Sequence, residues 1–123
     1  MKELTRAEEQ IMQILWELDE AFVNDIIDKM PEPKPAYNTV STIIRILEKK
    51  GFVDHKAYGK THLYYPLVSK PEYTRSFMKN FMGNYFGNSF REMVSFFAKE
   101  DNMSVSEIEA LMEDVKKELE NEQ

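Results

Sequence analysis

Three short polar side chains and one arginine recur at helical spacing in one segment of the chain. They stand at positions i, i+3, i+4 and i+7 and are Asn38, Ser41, Thr42 and Arg45. In a helix this spacing places all four on one face. Amide, hydroxyl and guanidinium groups form hydrogen bonds with base edges and phosphates in a DNA major groove. The pattern therefore indicates a helical face suited to nucleic acid.

A second group of polar residues follows this segment. The run from Phe52 to Pro66 predicts a short β-hairpin with a tight turn at Tyr58-Gly59-Lys60. Its outward positions include His55, Lys56 and Lys60, so cations gather near the tip, where a phosphate backbone could be met. An ordinary helix and hairpin with a solvated basic rim fits the same pattern equally well.

The remaining elements must hold this helix and hairpin in place. The helix has an apolar face at the spacing of a buried stripe, formed by Val40, Ile43, Ile44 and Leu47, and Gly51 can end it. A capping box at Thr5-Arg6-Ala7-Glu8 predicts an earlier helix with Trp16 at the edge of its core face. Phe22-Val23 suggests a short strand.

A second, shorter helix is predicted from its apolar positions, which are Val23, Ile26, Ile27 and Met30. The prolines that follow make an extended connection in which a helix cannot persist. The order helix, helix, helix, hairpin is the plan of a winged helix. We predict that residues 1–70 form this DNA-binding domain.

The charge distribution supports a single basic surface on an acidic chain. The net charge is -6. Between Lys34 and Lys70, however, seven Lys or Arg stand against two acids, whereas six stand against eleven acids from Pro71 onward. Salt screens distant charges over about 10 Å, so the local excess decides what the first segment attracts.

Composition excludes several classes of protein. The chain has no cysteine, which rules out disulfides and thiolate metal sites. Neither a span of roughly 20 apolar residues nor a secretory signal is present, so we expect a cytoplasmic protein. His55, His62 and Asp54 could contribute metal ligands, but the histidines stand on opposite arms of the hairpin and no further ligands are evident. We predict no metal, no cofactor and no catalytic site.

The second half of the chain predicts a dimer. Tyr73, Phe77, Phe81 and Tyr85 repeat every four residues along one helical face. A small domain has little core to spare for such a stripe, so a partner chain is its natural cover. Gly83, Gly87 and Asn88 are expected to break the aromatic run into two helices, and Ser104 to Glu107 is a capping box for a last helix.

Residues 71–123 are therefore predicted to be a helical dimerisation domain. The residues expected to pack in it are Tyr73, Phe77, Phe81, Tyr85, Phe90, Phe96, Phe97, Ile108, Leu111, Met112 and Val115. The alternative is that the last helix covers the aromatic stripe within one chain. The predicted fold class is mainly α with a small β-hairpin, a winged helix-turn-helix followed by dimerisation helices.

Three segments together resemble the penicillinase and methicillin-resistance repressor family (BlaI/MecI). They are LTRAEEQIMQILW from Leu4, YNTVSTIIRILEKKGFV from Tyr37 and the G-K-x5-P-L-V pattern from Gly59. The resemblance implies a homodimeric transcriptional repressor that binds a palindromic double-stranded operator and controls β-lactam-resistance or related genes. By position it implies DNA contacts from Asn38, Thr39, Ser41, Thr42 and Arg45, and from the hairpin residues His55, Lys56 and Lys60.

The resemblance also implies a mode of release. A membrane-anchored metalloprotease sensor would cut such a repressor in its dimerisation helices, here between Ser95 and Phe96. The chain departs from the family pattern at Ile46, where Arg is frequent, and at Ser95, where Asn is found. A different class of function, a winged-helix module that binds another protein rather than DNA, shares the same fold.

Overall fold

The computed structural model describes residues 1–122, which divide into two compact units, Met1–Phe77 and the chain from Met78 onward. The described residues form six helices and one hairpin: α1 Arg6–Leu18, α2 Val23–Asp28, α3 Tyr37–Lys49, β1 Val53–Tyr58, β2 Thr61–Pro66, α4 Lys70–Phe86, α5 Phe90–Glu100 and α6 Val105–Asn121. This order confirms a mainly helical winged-helix fold.

Helix α1 starts at the predicted capping box. The Thr5 hydroxyl accepts a hydrogen bond from the backbone N–H of Glu8, and the Glu8 carboxylate accepts one from the Thr5 N–H at 2.8 Å. Both interactions satisfy donors that a helix start leaves unpaired. Glu8 is almost fully buried, and the Lys50 ammonium donates to its Oε1 at 2.8 Å. The pair joins the start of α1 to the residue that ends α3.

Helix α2 ends in a connection that contains three prolines. The Lys34 ammonium turns back and donates hydrogen bonds to the carbonyls of Ile27, Asp28 and Met30 at 3.1, 3.0 and 2.9 Å. A cation at the end of a helix satisfies free carbonyls and complements the dipole. One of the basic residues counted in the sequence thus stabilises the helix-turn-helix itself.

The core of the first unit lies beneath α3. Val40, Ile44 and Leu47 are fully buried, and Ile43 is partly buried, as their spacing predicts. They pack with apolar residues of the two preceding helices and the hairpin, namely Ile11, Met12, Leu15, Val23, Ile26, Phe52, Val53 and Tyr64. Burial of this set, at about 25 cal/mol per Å² of apolar surface, holds α3 against the rest of the unit.

Strands β1 and β2 pair antiparallel, with Val53 opposite Pro66 and Tyr58 opposite Thr61. Ala21 adds a third, single-residue pairing, exchanging two backbone hydrogen bonds with Tyr64 at 2.9 and 2.8 Å. The short strand suggested at Phe22-Val23 is wrong, because Val23 already begins α2. The pairing instead fixes the hairpin, which we call the wing, to the segment before α2.

The start of α4 belongs to the first unit. The Trp16 Nε1–H donates to the Val68 carbonyl at 2.9 Å, and the Leu4 N–H donates to the Tyr73 hydroxyl at 2.9 Å. The Tyr73 ring lies 5.8 Å from that of Phe52 and is 6% exposed. The prediction that Tyr73 lies on a dimer surface therefore needs correction, because its own chain already covers the ring.

The second unit has a different character, since no described residue from Met78 onward is buried. The aromatic rings of Phe86, Phe96 and Phe97 lie within 5.6 to 6.3 Å of one another. Gly83 does not break the helix as expected and lies inside α4, whereas Gly87 and Asn88 both have positive φ and separate α4 from α5. Among the described residues, no helix combines the length and apolar character needed to cross a membrane.

Candidate nucleic-acid interface

The polar face of α3 is exposed along the helix. Asn38, Thr39, Thr42 and Arg45 are all accessible to solvent. The Thr42 hydroxyl donates to the Asn38 carbonyl at 2.8 Å, which leaves its oxygen free to accept. Ile46 is 41% exposed beside them and adds an apolar contact surface. The structure therefore presents an amide, two hydroxyls and a guanidinium on one accessible surface.

Ser41 does not share this exposure and is only 6% accessible. It lines a cleft between α3 and the wing together with Phe22 and Tyr64. At 100° per residue, Ser41 lies only about 60° around the helix from Ile44, on the flank that the wing covers. The expectation that Ser41 belongs to the outward face is corrected for this reason.

The wing carries its cations on exposed positions. Lys56 and Lys60 are both exposed, and the Lys56 ammonium lies 5.7 Å from the centre of the Tyr65 ring. Gly59 has φ +60 in the turn, and the Thr61 hydroxyl donates to the Tyr58 carbonyl at 2.8 Å. The turn residues thus hold Lys60 at the tip, as the sequence predicted.

Arg45 and Lys60 both line the cleft between α3 and the wing. Its polar lining also includes Asn24, Tyr37, Thr61 and His62. Two cations next to hydroxyl groups suit a phosphate, because a phosphate offers only acceptors in its ionised form. Sequence spacing gives no signal for Tyr37 and Thr61, because each is the first residue of its element, where periodicity is not yet established.

Tyr64 closes the floor of this cleft. Burial raises the pKa of its hydroxyl, the negative charge of Glu48 raises it further, and Arg45 acts in the opposite direction. The net effect is a raised pKa, so the hydroxyl keeps its proton at neutral pH. Tyr64 therefore remains a neutral donor beneath the cations and adds no negative charge to the cleft.

His55 differs from the two wing lysines. Its Nδ1 lies 2.7 Å from Oε2 of Glu48, and its ring stacks on that of His62 with centroids 4.0 Å apart. The histidine expected to face a phosphate backbone thus has an acidic partner on α3. Lys34 and Lys50 are likewise engaged inside the unit. The other basic residues of the segment from Lys34 to Lys70 are exposed, and they are Arg45, Lys49, Lys56, Lys60 and Lys70.

Helices α4, α5 and α6 expose apolar side chains. Exposed side chains from the predicted dimerisation set are Tyr85, Phe90, Phe96, Phe97, Leu111, Met112 and Val115, and Phe77 is 40% exposed. Phe81 and Ile108 are partly buried. Ser95 and Phe96, the expected cleavage pair, both stand on α5 and are accessible.

Comparison with known proteins identifies the family of this chain. The sequence matches the penicillinase repressor family over residues 4–117. The chain belongs to that family. The methicillin resistance regulatory protein MecI of Staphylococcus aureus strain N315 is similar, with 32% identity over 110 residues that cover 89% of each chain. The penicillinase repressor of Bacillus licheniformis is 23% identical over 89% of this chain and 86% of its own.

A solved structure supports the same assignment. The solution structure of the DNA binding domain of the repressor BlaI superimposes with a TM-score of 0.51 at 25% identity, covering 59% of this chain and 94% of that domain. Membership of this family makes the chain a DNA-binding transcriptional repressor and not an enzyme. This member of the penicillinase repressor family thus has a candidate DNA surface in the polar face of α3 and the wing.

Proposed function

We propose that this family member is a homodimeric repressor that binds a palindromic operator through the polar face of α3 and the wing lysines. The observation that carries the proposal is the cleft lined by both Arg45 of α3 and Lys60 of the wing. A phosphate in that cleft would fix the orientation of α3, so that Asn38 and Thr42 face base edges in the major groove.

Salt dependence tests DNA binding most directly. We expect the purified chain to shift DNA from upstream of its own gene, with an affinity that falls steeply as salt rises. The slope of log K against log salt should be about -0.9 per phosphate neutralised. A shift that is absent at low salt, together with capture of a protein partner through α3, would instead support the protein-interaction module.

Dimerisation is proposed from the exposed apolar surface of α5 and α6. No described residue of either helix is buried within its own chain. Exposing so much apolar surface to water is unfavourable, and a second copy of the same chain offers a self-complementary cover. The expected result is a dimer mass in sedimentation equilibrium. A monomer at micromolar concentration would contradict this part of the proposal.

Release by proteolysis and control of β-lactam-resistance or related genes are proposed from family membership. The proposed cut lies between Ser95 and Phe96 on α5, inside the surface proposed to dimerise. Cleavage there would separate part of that surface from the winged helix. Mass spectrometry of the chain from cells treated with a β-lactam should show a fragment that ends at Ser95. An intact chain in induced cells would mean that release is not proteolytic.

A further inference from the structure

Three metal-ligating side chains converge where α3 ends and β1 begins. Nδ1 of His55 lies 2.7 Å from Oε2 of Glu48 and 4.0 Å from Oδ1 of Asp54. One donor atom from each residue lies within 4.8 Å of the others. Ligands of one zinc ion stand about 3.4 Å apart, given metal-ligand distances near 2.1 Å in a tetrahedron. Small side-chain rotations would therefore bring the three donors to one ion.

We propose that Glu48, Asp54 and His55 form a binding site for a divalent transition-metal ion such as Zn²⁺. One imidazole nitrogen and two carboxylate oxygens are donors that zinc accepts. The ion would take the place of the direct contact between His55 Nδ1 and the Glu48 carboxylate, and water would complete its coordination. In the sequence Glu48 stands six residues before Asp54, on a different element, so that only the fold brings them together.

The surroundings of the cluster already orient its donors. The backbone N–H of His55 donates a hydrogen bond to Oδ1 of Asp54 at 2.7 Å, which holds that carboxylate beside the imidazole. The His55 ring is stacked on His62 and lies 5.6 Å from the Tyr64 ring, so two neighbouring rings restrict its orientation. The Glu48 and His55 side chains are 28% and 29% exposed, which leaves a path for the ion. Such surrounding contacts reduce the reorganisation that binding requires.

An ion in this site would link the recognition helix to the wing. Glu48 belongs to the last turn of α3, and the other two ligands belong to β1. Bound metal would also compensate two negative charges close to the proposed DNA surface. If the proposed operator binding holds, occupancy should therefore raise operator affinity, and by linkage DNA should raise metal affinity by the same factor.

Metal binding is tested first without DNA. The full chain, freed of metal by chelation, is titrated with Zn²⁺ in a calorimeter, and thermal unfolding is recorded with and without the ion. We expect one ion per chain and a rise in melting temperature, since an ion that binds only the folded state stabilises it. Absence of heat and of any thermal shift at sub-millimolar Zn²⁺ would overturn the proposal.

Two variants and a matched control locate the site. His55→Ala and Glu48→Gln should each lower zinc affinity at least about tenfold, since loss of supporting residues alone has effects of that size. His62→Phe removes a histidine from the same wing but keeps the three ligands and an aromatic ring against His55, so it should retain tight binding. Equal losses in both histidine variants would mean that the ion binds surface histidines and would overturn the site. Visible absorption of Co²⁺ in the same variants gives a readout independent of stability.

The link to DNA is measured separately. Operator affinity of the wild-type chain with and without Zn²⁺ should differ, and Glu48→Gln should remove the difference. Zinc binding without any DNA binding would refute the proposed function but support the site. DNA binding that ignores Zn²⁺, in a chain that binds the ion, would overturn the coupling.

Discussion

Asn38 and Lys60 have different chemical tasks in the proposed complex. The Asn38 amide offers donors and an acceptor that can pair with a base edge, whereas the Lys60 ammonium is a point charge suited to a phosphate. We expect Asn38→Ala to cost about 1–3 kcal/mol on the preferred operator and to relax preference at particular base pairs. Lys60→Ala should weaken binding to all sequences and reduce the salt slope by about 1.

Fluorescence anisotropy on the operator and on single-base variants distinguishes these outcomes. Lys29→Ala is a matched control, because this exposed lysine lies near Glu17 on another surface of the unit, 3.4 Å from its carboxylate. The operator affinity of the Lys29→Ala variant should equal that of the wild type. If Lys29→Ala lowered affinity as much as Lys60→Ala, net charge rather than the wing would explain binding.

Glu8 makes the stability of the first unit depend on pH. Burial raises the pKa of its carboxyl, but hydrogen bonds from the Lys50 ammonium and from Thr5 outweigh this, and the net pKa lies below its usual value of 4.5. A lowered folded pKa means that ionised Glu8 contributes stability above pH 4.5, and that this contribution disappears as pH falls through the folded pKa.

Glu8→Gln is the test of this contribution. Gln keeps the capping-box acceptor but loses the charge, so we expect about 1–3 kcal/mol less stability at pH 7 in urea denaturation. The difference from wild type should shrink below pH 4.5, because the protonated Glu8 then resembles Gln. Glu9→Gln, in the same first turn, serves as the control. A difference that stays constant with pH would show that the charge of Glu8 is not responsible.

At the scale of elements, the junction between α3 and the wing depends on Gly51. Its φ is +82, a left-handed conformation, and a Cβ built there would touch nothing within 4 Å. Gly51→Ala should therefore destabilise the unit by backbone strain alone, about 1–2 kcal/mol. Gly51→Asn should cost less, because Asn tolerates this conformation better. Thermal unfolding of both variants provides the measurement, and equal losses would contradict a conformational cause.

The elements that were predicted correctly are those whose signals are local. The capping box at Thr5 and the apolar spacing of α3 define helices within a few residues, and both are confirmed. The errors arise from contacts between distant segments. Tyr73 has the spacing of an exposed stripe, yet Trp16 and Phe52 cover it. Gly83 is a weak helix former that the surrounding helix tolerates.

In the candidate site, too, the features set by local spacing were predicted and those set by contacts between distant segments were not. The exposure of Asn38, Thr42 and Arg45 follows from helical period, and the structure places them as predicted. The predicted exposure of Ser41 is wrong, because Ser41 lies on the flank of α3 that faces the wing. His55 gains its acidic partner Glu48 only when β1 folds against α3. Pairings of this kind depend on tertiary structure and cannot be read from spacing.

At the scale of the whole molecule, the two units differ in how they satisfy their apolar residues. The first unit buries a continuous core, whereas the described helices α5 and α6 have no buried residue. On α6 the apolar residues follow a helical stripe at Ile108, Leu111, Met112, Val115 and Leu119. The proposed dimer would cover this stripe, and the folding of the second unit would then depend on self-association.

Leu111→Glu tests whether this stripe joins two copies. Leu111 is 50% exposed in the single chain, so a charge there costs little in a monomer but would be buried in a dimer. We expect the variant to sediment as a monomer and to lose far more affinity for a two-half-site operator than for a single half-site. Ala110→Glu adds the same charge on the opposite side of α6 and should leave the dimer intact. Equal losses on both operators would mean that the stripe does not join the two DNA-binding units.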